Sequence, residues 1–164
     1  MATSRGKVFE TELKSSVEHC GVMIERIPDK VFWNGRRLLS QQTKADFIAY
    51  VARDRVIPLM IEAKATADKR IAFSALQPHQ REALLAFEAY HEDMRAFVAV
   101  NLYDSVSIRR MNRCFIIPIS VWAEYEEGDR KSIPLASLES DGRIIECPRT
   151  AGSIFDMVPW LENF

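Results

Sequence analysis

Residues 44–66, Lys44-Ala45-Asp46-Phe47-Ile48-Ala49-Tyr50-Val51-Ala52-Arg53-Asp54-Arg55-Val56-Ile57-Pro58-Leu59-Met60-Ile61-Glu62-Ala63-Lys64-Ala65-Thr66, hold two apolar runs on either side of Arg53-Asp54-Arg55. Each run reads as a strand, and each carries charges that a buried strand normally lacks. Asp46 lies two residues before Ile48, while Glu62 and Lys64 follow directly on Leu59-Met60-Ile61. Side chains at i and i+2 of a strand share a face, so Glu62 and Lys64 project together. An antiparallel hairpin centred on Asp54 pairs residues whose numbers sum to about 108, which sets Asp46 opposite Glu62 with Cβ atoms roughly 5 Å apart. Two carboxylates and one ammonium group then share one face. Carboxylates this close repel unless a cation lies between them. Mg²⁺ suits that role, because it is held by one or two carboxylates together with waters and phosphate oxygens.

An Asp followed on the next strand by Glu-X-Lys resembles the core of the PD-(D/E)XK nuclease superfamily. Three further stretches narrow the resemblance. Gly6-Lys7-Val8-Phe9-Glu10 is similar to the N-terminal helix of Holliday-junction resolvases, whose acid joins the metal site. Phe73-Ser74-Ala75-Leu76-Gln77-Pro78-His79-Gln80 is similar to the segment after the Glu-X-Lys strand in RecU-like resolvases, where a His-Gln pair opens a helix. Arg113-Cys114-Phe115-Ile116-Ile117-Pro118 resembles a later strand of the same group. Together they cover roughly residues 5–122, and the chain resembles a RecU-like, phage-type resolvase.

The resemblance implies a restriction-endonuclease-like fold, an α/β mixed sheet flanked by helices, and a structure-selective endodeoxyribonuclease that cuts four-way DNA junctions by paired symmetric hydrolysis. Asp46 and Glu62 are the expected ligands of Mg²⁺ (Mn²⁺ substituting), joined by the main-chain carbonyl of Ala63 and by Glu10. Glu12 is a rival in the same turn as Glu10, and the resemblance selects Glu10. Lys64 is expected beside the ion, to position water or stabilise the transition state, and Gln80 to hold water or a phosphate oxygen. His79 is a lesser candidate. Asp29 follows Pro28 and so mimics the superfamily's namesake dipeptide, but the hairpin geometry favours Asp46. Two rival functions are a restriction- or repair-type endonuclease with the same site, and a catalytically silent DNA-binding factor on this fold. Mutually repelling carboxylates kept together argue against the silent factor.

The chain's 164 residues suit one nuclease domain over 1–164, with 48% hydrophobic and 27% charged residues as is ordinary for a globular protein. No run of apolar residues is long enough to span a bilayer, and the N-terminus lacks an apolar signal core. A cytoplasmic location is therefore expected (the host's cytoplasm for a phage protein), with no membrane partner. Cys20, Cys114 and Cys147 lack C-x-x-C spacing and read as reduced thiols, not a zinc site. The net charge of −1 is unevenly spread: residues 1–81 carry +5 and residues 82–164 carry −6. The half with the chemistry is thus the half suited to phosphates. Within it Arg5, Lys7, Arg26, Lys30, Arg36, Arg37 and Lys44 are the expected DNA contacts.

Residues 6–20 suit a helix with Phe9, Leu13 and Val17 on one side, ended by Gly21. A strand follows from Val22, then a polar, basic loop or short protrusion over about 29–44. Past the hairpin, Pro78 fits the first position of a helix over about 78–91, with Leu84, Leu85, Phe87 and Ala89 on its apolar side. Ala96–Tyr103 and Cys114–Ile119 read as strands, the second at a sheet edge because of Pro118. Short helices are expected at Ser120–Glu127 and, capped by Ser132, at Ser132–Leu138. The remainder reads as irregular, ending in the apolar Trp160-Leu161, a candidate contributor to a dimer contact. A dimer is expected because a C₂ pair matches a two-fold junction.

Overall fold

The computed structural model describes residues 4–33, 35–36, 38–41, 44–107, 111–150, 152 and 154–164, with only the backbone described for 30–33 and 38–41. Helix α1 (Arg5–His19) opens the chain. Gly21 ends it with φ of 75°, a left-handed conformation that costs a residue with a Cβ and not glycine. Strand β1 (Met23–Arg26) follows, then β2 (Lys30–Trp33) and β3 (Leu38–Gln41), then β4 (Phe47–Ala52) and the long β5 (Val56–Thr66). After β6 (Arg70–Ala72) and a 3₁₀ turn at Phe73–Ala75 come α2 (Pro78–Tyr90), β7 (Arg95–Tyr103), β8 (Asn112–Pro118) and α3 (Ile119–Glu126). The chain closes with β9 (Ser132–Pro134), α4 (Leu135–Ser140), β10 (Ile145–Cys147) and α5 (Val158–Leu161).

The main sheet has six strands in the order β1-β4-β5-β7-β8-β10. Only β5 and β7 run parallel, joined by the crossover through α2; the other neighbours are antiparallel. This is the mixed α/β sheet flanked by helices that the sequence implies. Period-two alternation divides its apolar residues between two cores. Ile57, Leu59 and Ile61 of β5, with Phe97 and Ala99 of β7, face Phe9, Leu13 and Val17 of α1. Val98, Val100 and Leu102 of β7 face the opposite way, toward Leu84 of α2 and Trp122 of α3. A sheet packed on both faces places β5 at the centre of the molecule. Fully burying each such aliphatic side chain contributes about 1.5–3 kcal/mol.

Residues 30–33 pair with residues 38–41 as a two-stranded hairpin, with Trp33 opposite Leu38 and Gly35 at φ of 90°; it occupies the stretch expected as a loop or short protrusion. Three expectations change. Strand β8 is not an edge, since β10 pairs with it from Cys114 to Ile116. Pro118 is tolerated because that pairing stops two residues before it. Ser132 caps no helix: Ser132–Pro134 pairs with β6, and α4 begins only at Leu135. Trp160 and Leu161 are 1% and 5% exposed, and Trp160 packs edge-on against Phe97 and Phe164. They belong to the core and are not available to a partner. In α2, Leu84 is buried as expected whereas Ala89 is exposed. The three cysteines are free. Among the described residues, no helix is long and apolar enough to cross a membrane.

Candidate active site

The β4–β5 hairpin adopts the expected register, with Phe47 opposite Ile61, Ile48 opposite Met60 and Ala52 opposite Val56. One step beyond its last pair, Asp46 bends toward β5 and its Oδ2 accepts the Ala63 N–H at 2.9 Å. Glu62 and Lys64 share the face turned toward α2. Glu62 is only 2% exposed, and its Oε1 accepts from Lys64 Nζ at 2.6 Å and from Gln80 Nε2 at 2.6 Å. Gln80 Oε1 accepts in turn from Lys64 Nζ at 3.1 Å and from the Gln77 N–H at 3.1 Å. That last bond is half of a capping box, in which Gln77 is the N-cap of α2 and Gln80 its third residue. The helix start and the site are therefore fastened by one side chain.

Burial is the largest influence on all three acids. It pushes the Glu62 carboxyl up to about 7, helped by the nearby Asp46 charge and opposed by Lys64 and Gln80. Asp46 is also raised by burial, against the Ala63 N–H, Lys64 and Arg26. Glu10 is raised by burial and then by Asp46, with Arg26, Lys7 and Lys64 pulling the other way. Glu10 therefore lies in the same field as Asp46 and Lys64. Its rival Glu12 does not: Glu12 pairs with Arg5 at 2.8 Å and Arg149 at 3.4 Å.

The donor set has the character of a hard-cation site. Among the described residues, Glu62 Oε2 is buried and finds no hydrogen-bond partner. Glu10 Oε2 is buried as well, and although Arg26 Nη2 stands 2.7 Å away, the pair lacks hydrogen-bond alignment. Leaving a buried carboxylate oxygen unsatisfied is costly, and a cation would remove that cost. Among the described residues no three His, Cys, Asp or Glu side chains are already arranged around one point. The residues fit an ion with few protein ligands and several waters or phosphate oxygens, which is the habit of Mg²⁺.

The expected DNA contacts divide. Arg26 is exposed on β1 beside Glu10, and Lys7, Arg36 and Lys44 are exposed. Lys30 lies in β2 with only its backbone described, and Arg37 lies outside the described residues. Arg5 is turned inward instead, with its side chain 15% exposed. It donates to Asn101 Oδ1 at 2.9 Å and Asn112 Oδ1 at 3.1 Å, because two buried amides on β7 and β8 need a donor there. His79 is exposed at the start of α2, and Asp29 is exposed before β2. The role of Gln77 and the Arg5–Glu12–Arg149 network were missed by sequence reasoning. A polar residue next to Pro78, and Asn101 inside an apolar strand, were the available signals.

Asp46 just ahead of β4, Glu62 and Lys64 on β5 and Gln80 on α2 thus meet, with Glu10 of α1 in the same field. The family model for Recombination protein U matches residues 35–161, and the chain belongs to that family. It is a Holliday junction resolvase, an endonuclease whose substrate is branched DNA. No curated protein matches the sequence significantly. Among solved structures, Hjc of Archaeoglobus fulgidus, a Holliday junction resolvase from an archaeal hyperthermophile, is 19% identical with a TM-score of 0.49, over 78% of this chain and 85% of that one.

Proposed function

We propose that this resolvase is divalent-cation-dependent, with Asp46, Glu62 and Glu10 as carboxylate ligands, the Ala63 carbonyl completing the protein's share, and Lys64 and Gln80 serving the reacting phosphate. The observation that carries this is the Glu62–Lys64–Gln80 ring, with Glu62 Oε2 buried and unpartnered beside Asp46. The ion, Mg²⁺ or Mn²⁺ in its place, supplies Lewis acidity toward the phosphoryl oxygens and acidifies water for attack. Lys64 holds a fixed positive charge where the pentacovalent phosphorus gathers negative charge. Because its Nζ is already pinned by Glu62 and Gln80, little reorganisation is needed as the charge develops. Gln80 keeps Glu62 Oε1 occupied, which leaves Oε2 as the free ligand atom.

Resolution takes two cuts in a two-fold substrate, so the working unit is a C₂ homodimer with one site per protomer. Lys7, Arg26, Arg36 and Lys44 are the cations placed to meet phosphates, and the β2–β3 hairpin, next in sequence to Arg26, brings its own basic residues.

A labelled four-way junction, a linear duplex and a nicked duplex of matched sequence, each with Mg²⁺ and with chelator, test this reading. Paired symmetric nicks in the junction alone are expected. Chelator should abolish them, and Lys64→Ala should slow them by about 10²–10³ with junction binding retained. Cleavage that persists in chelator would sink the metal reading, and full activity in Lys64→Ala would remove Lys64 from the chemistry.

A further inference from the structure

Helix α1 is held by two kinds of contact. Phe9, Leu13 and Val17 pack into the core, which fixes which side faces the sheet but tolerates small rotations. The second kind is polar. Glu12, whose side chain is 10% exposed, receives Arg5 Nη2 on Oε2 at 2.8 Å and Arg149 Nη2 on Oε1 at 3.4 Å. Arg5 is anchored on Asn101 and Asn112, and Asn101 Nδ2 donates to Asn112 Oδ1 at 2.6 Å. Four residues on, Ser16 Oγ donates to the Glu12 carbonyl at 2.5 Å and accepts the Phe155 N–H at 2.9 Å. The sheet and the C-terminal segment thus grip α1 through one carboxylate and one hydroxyl.

Stability does not require such a network. Replacing buried ion pairs with apolar groups of similar volume is often neutral or stabilising. Among the described residues, this one even leaves Asn112 Nδ2 and Arg149 Nη1 buried without partners. What the network does fix is the rotation of α1. Glu10 lies two residues before Glu12, roughly 200° around the helix, so the azimuth of one determines that of the other. We propose that Glu12, clamped between Arg5 and Arg149, is a positioning residue that sets where α1 delivers Glu10 to the metal site. The proposal rests on the reading of Glu10 as a ligand given above.

The test is calorimetric titration of the full chain with Mg²⁺, for wild type, Glu10→Gln, Glu12→Gln and the double variant, each first shown to be folded by circular dichroism. Glu12→Gln is expected to weaken Mg²⁺ binding about 3- to 10-fold, below the 10–100-fold range of groups bonded directly to a ligand. In the Glu10→Gln background the same change should have no further effect. A merely structural role would weaken binding equally in both backgrounds, and that result overturns the proposal, as does unchanged affinity in Glu12→Gln. Should Glu12→Gln not fold, Arg149→Lys is read by the same two criteria. If Glu10→Gln alone leaves affinity unchanged, the ligand role of Glu10 fails, and the proposal fails with it for that separate reason.

Discussion

Glu62→Gln should remove a pH dependence that wild-type protein shows without divalent ions. In the metal-free folded chain the Glu62 carboxyl is held at about 7, against an ordinary value of 4.5. The folded state therefore binds the proton more tightly than the unfolded state. For an acid raised in this direction, the favourable contribution is complete below pH 4.5 and is lost as pH rises to about 7. At about 1.4 kcal/mol per pH unit the loss is on the order of 3 kcal/mol. Asp46 is raised in the same field, so the slope belongs to the pair.

Urea unfolding in chelator at pH 5 and pH 7.5 measures it. With an m-value of about 2 kcal/mol/M, the wild-type midpoint should fall between the two pH values by about 1.2 M more than that of Glu62→Gln. Glutamine keeps the acceptor for Lys64 and Gln80 but cannot ionise, so its residual slope reports the other groups. Mg²⁺ should restore wild-type stability more at pH 8 than at pH 5.5, because it binds the ionised pair, and should do little for the variant. Equal pH slopes in the two proteins would refute the claim that burial and Asp46 load this carboxyl.

Other perturbations follow from particular contacts. Gln80→Ala breaks the capping box and leaves Glu62 Oε1 and Lys64 Nζ with only each other; thermal melts should show a loss of about 1 kcal/mol, with a larger proportional loss in junction cleavage than in junction binding. Trp160→Ala removes a side chain that is 1% exposed and should cost about 3–5 kcal/mol in urea unfolding. Sedimentation should find its folded fraction in the same oligomeric state as wild type; a change of state would return Trp160 to the interface. Arg26→Ala leaves the fold unchanged and should lower the slope of log K against log salt by about 1 for junction binding, if Arg26 meets a phosphate.

The site was far more legible than its surroundings. The hairpin register followed from alternation and one turn, since a one-residue slip would move every apolar side chain to the wrong face. Asp46, Glu62 and Lys64 could be grouped from that register alone. Gln80 and Glu10 needed the resemblance, because a polar residue in the first turns of a helix is ordinarily just a solvated one. What could not be read is tertiary. Arg5 looked like a free cation because nothing local shows that Asn101 and Asn112 lie 2.6 Å apart and need its guanidinium. Strand β10 is three residues long, too short for any periodicity to declare itself, and its presence changed the reading of Pro118. The stretch over about 29–44 was legible only as a loop or short protrusion, although Asn34-Gly35 between two apolar runs is a hairpin signal of the usual kind.

The division of labour in Gln80 explains why the site can be both strained and stable. Burying Glu62 beside Asp46 opposes folding at neutral pH, and that cost falls on the centre of β5, where the sheet is covered on both faces. A helix start is a place where backbone N–H groups need acceptors in any case. By giving Oε1 to Gln77 and Lys64 and Nε2 to Glu62, Gln80 makes the same amide serve the helix and the carboxylate. The crossover from β5 to β7 must begin near this point to return the chain parallel, so the topology itself carries the capping residue to the acids. One carboxylate oxygen of Glu62 is then satisfied by the fold, and among the described residues the other is left without a hydrogen-bond partner.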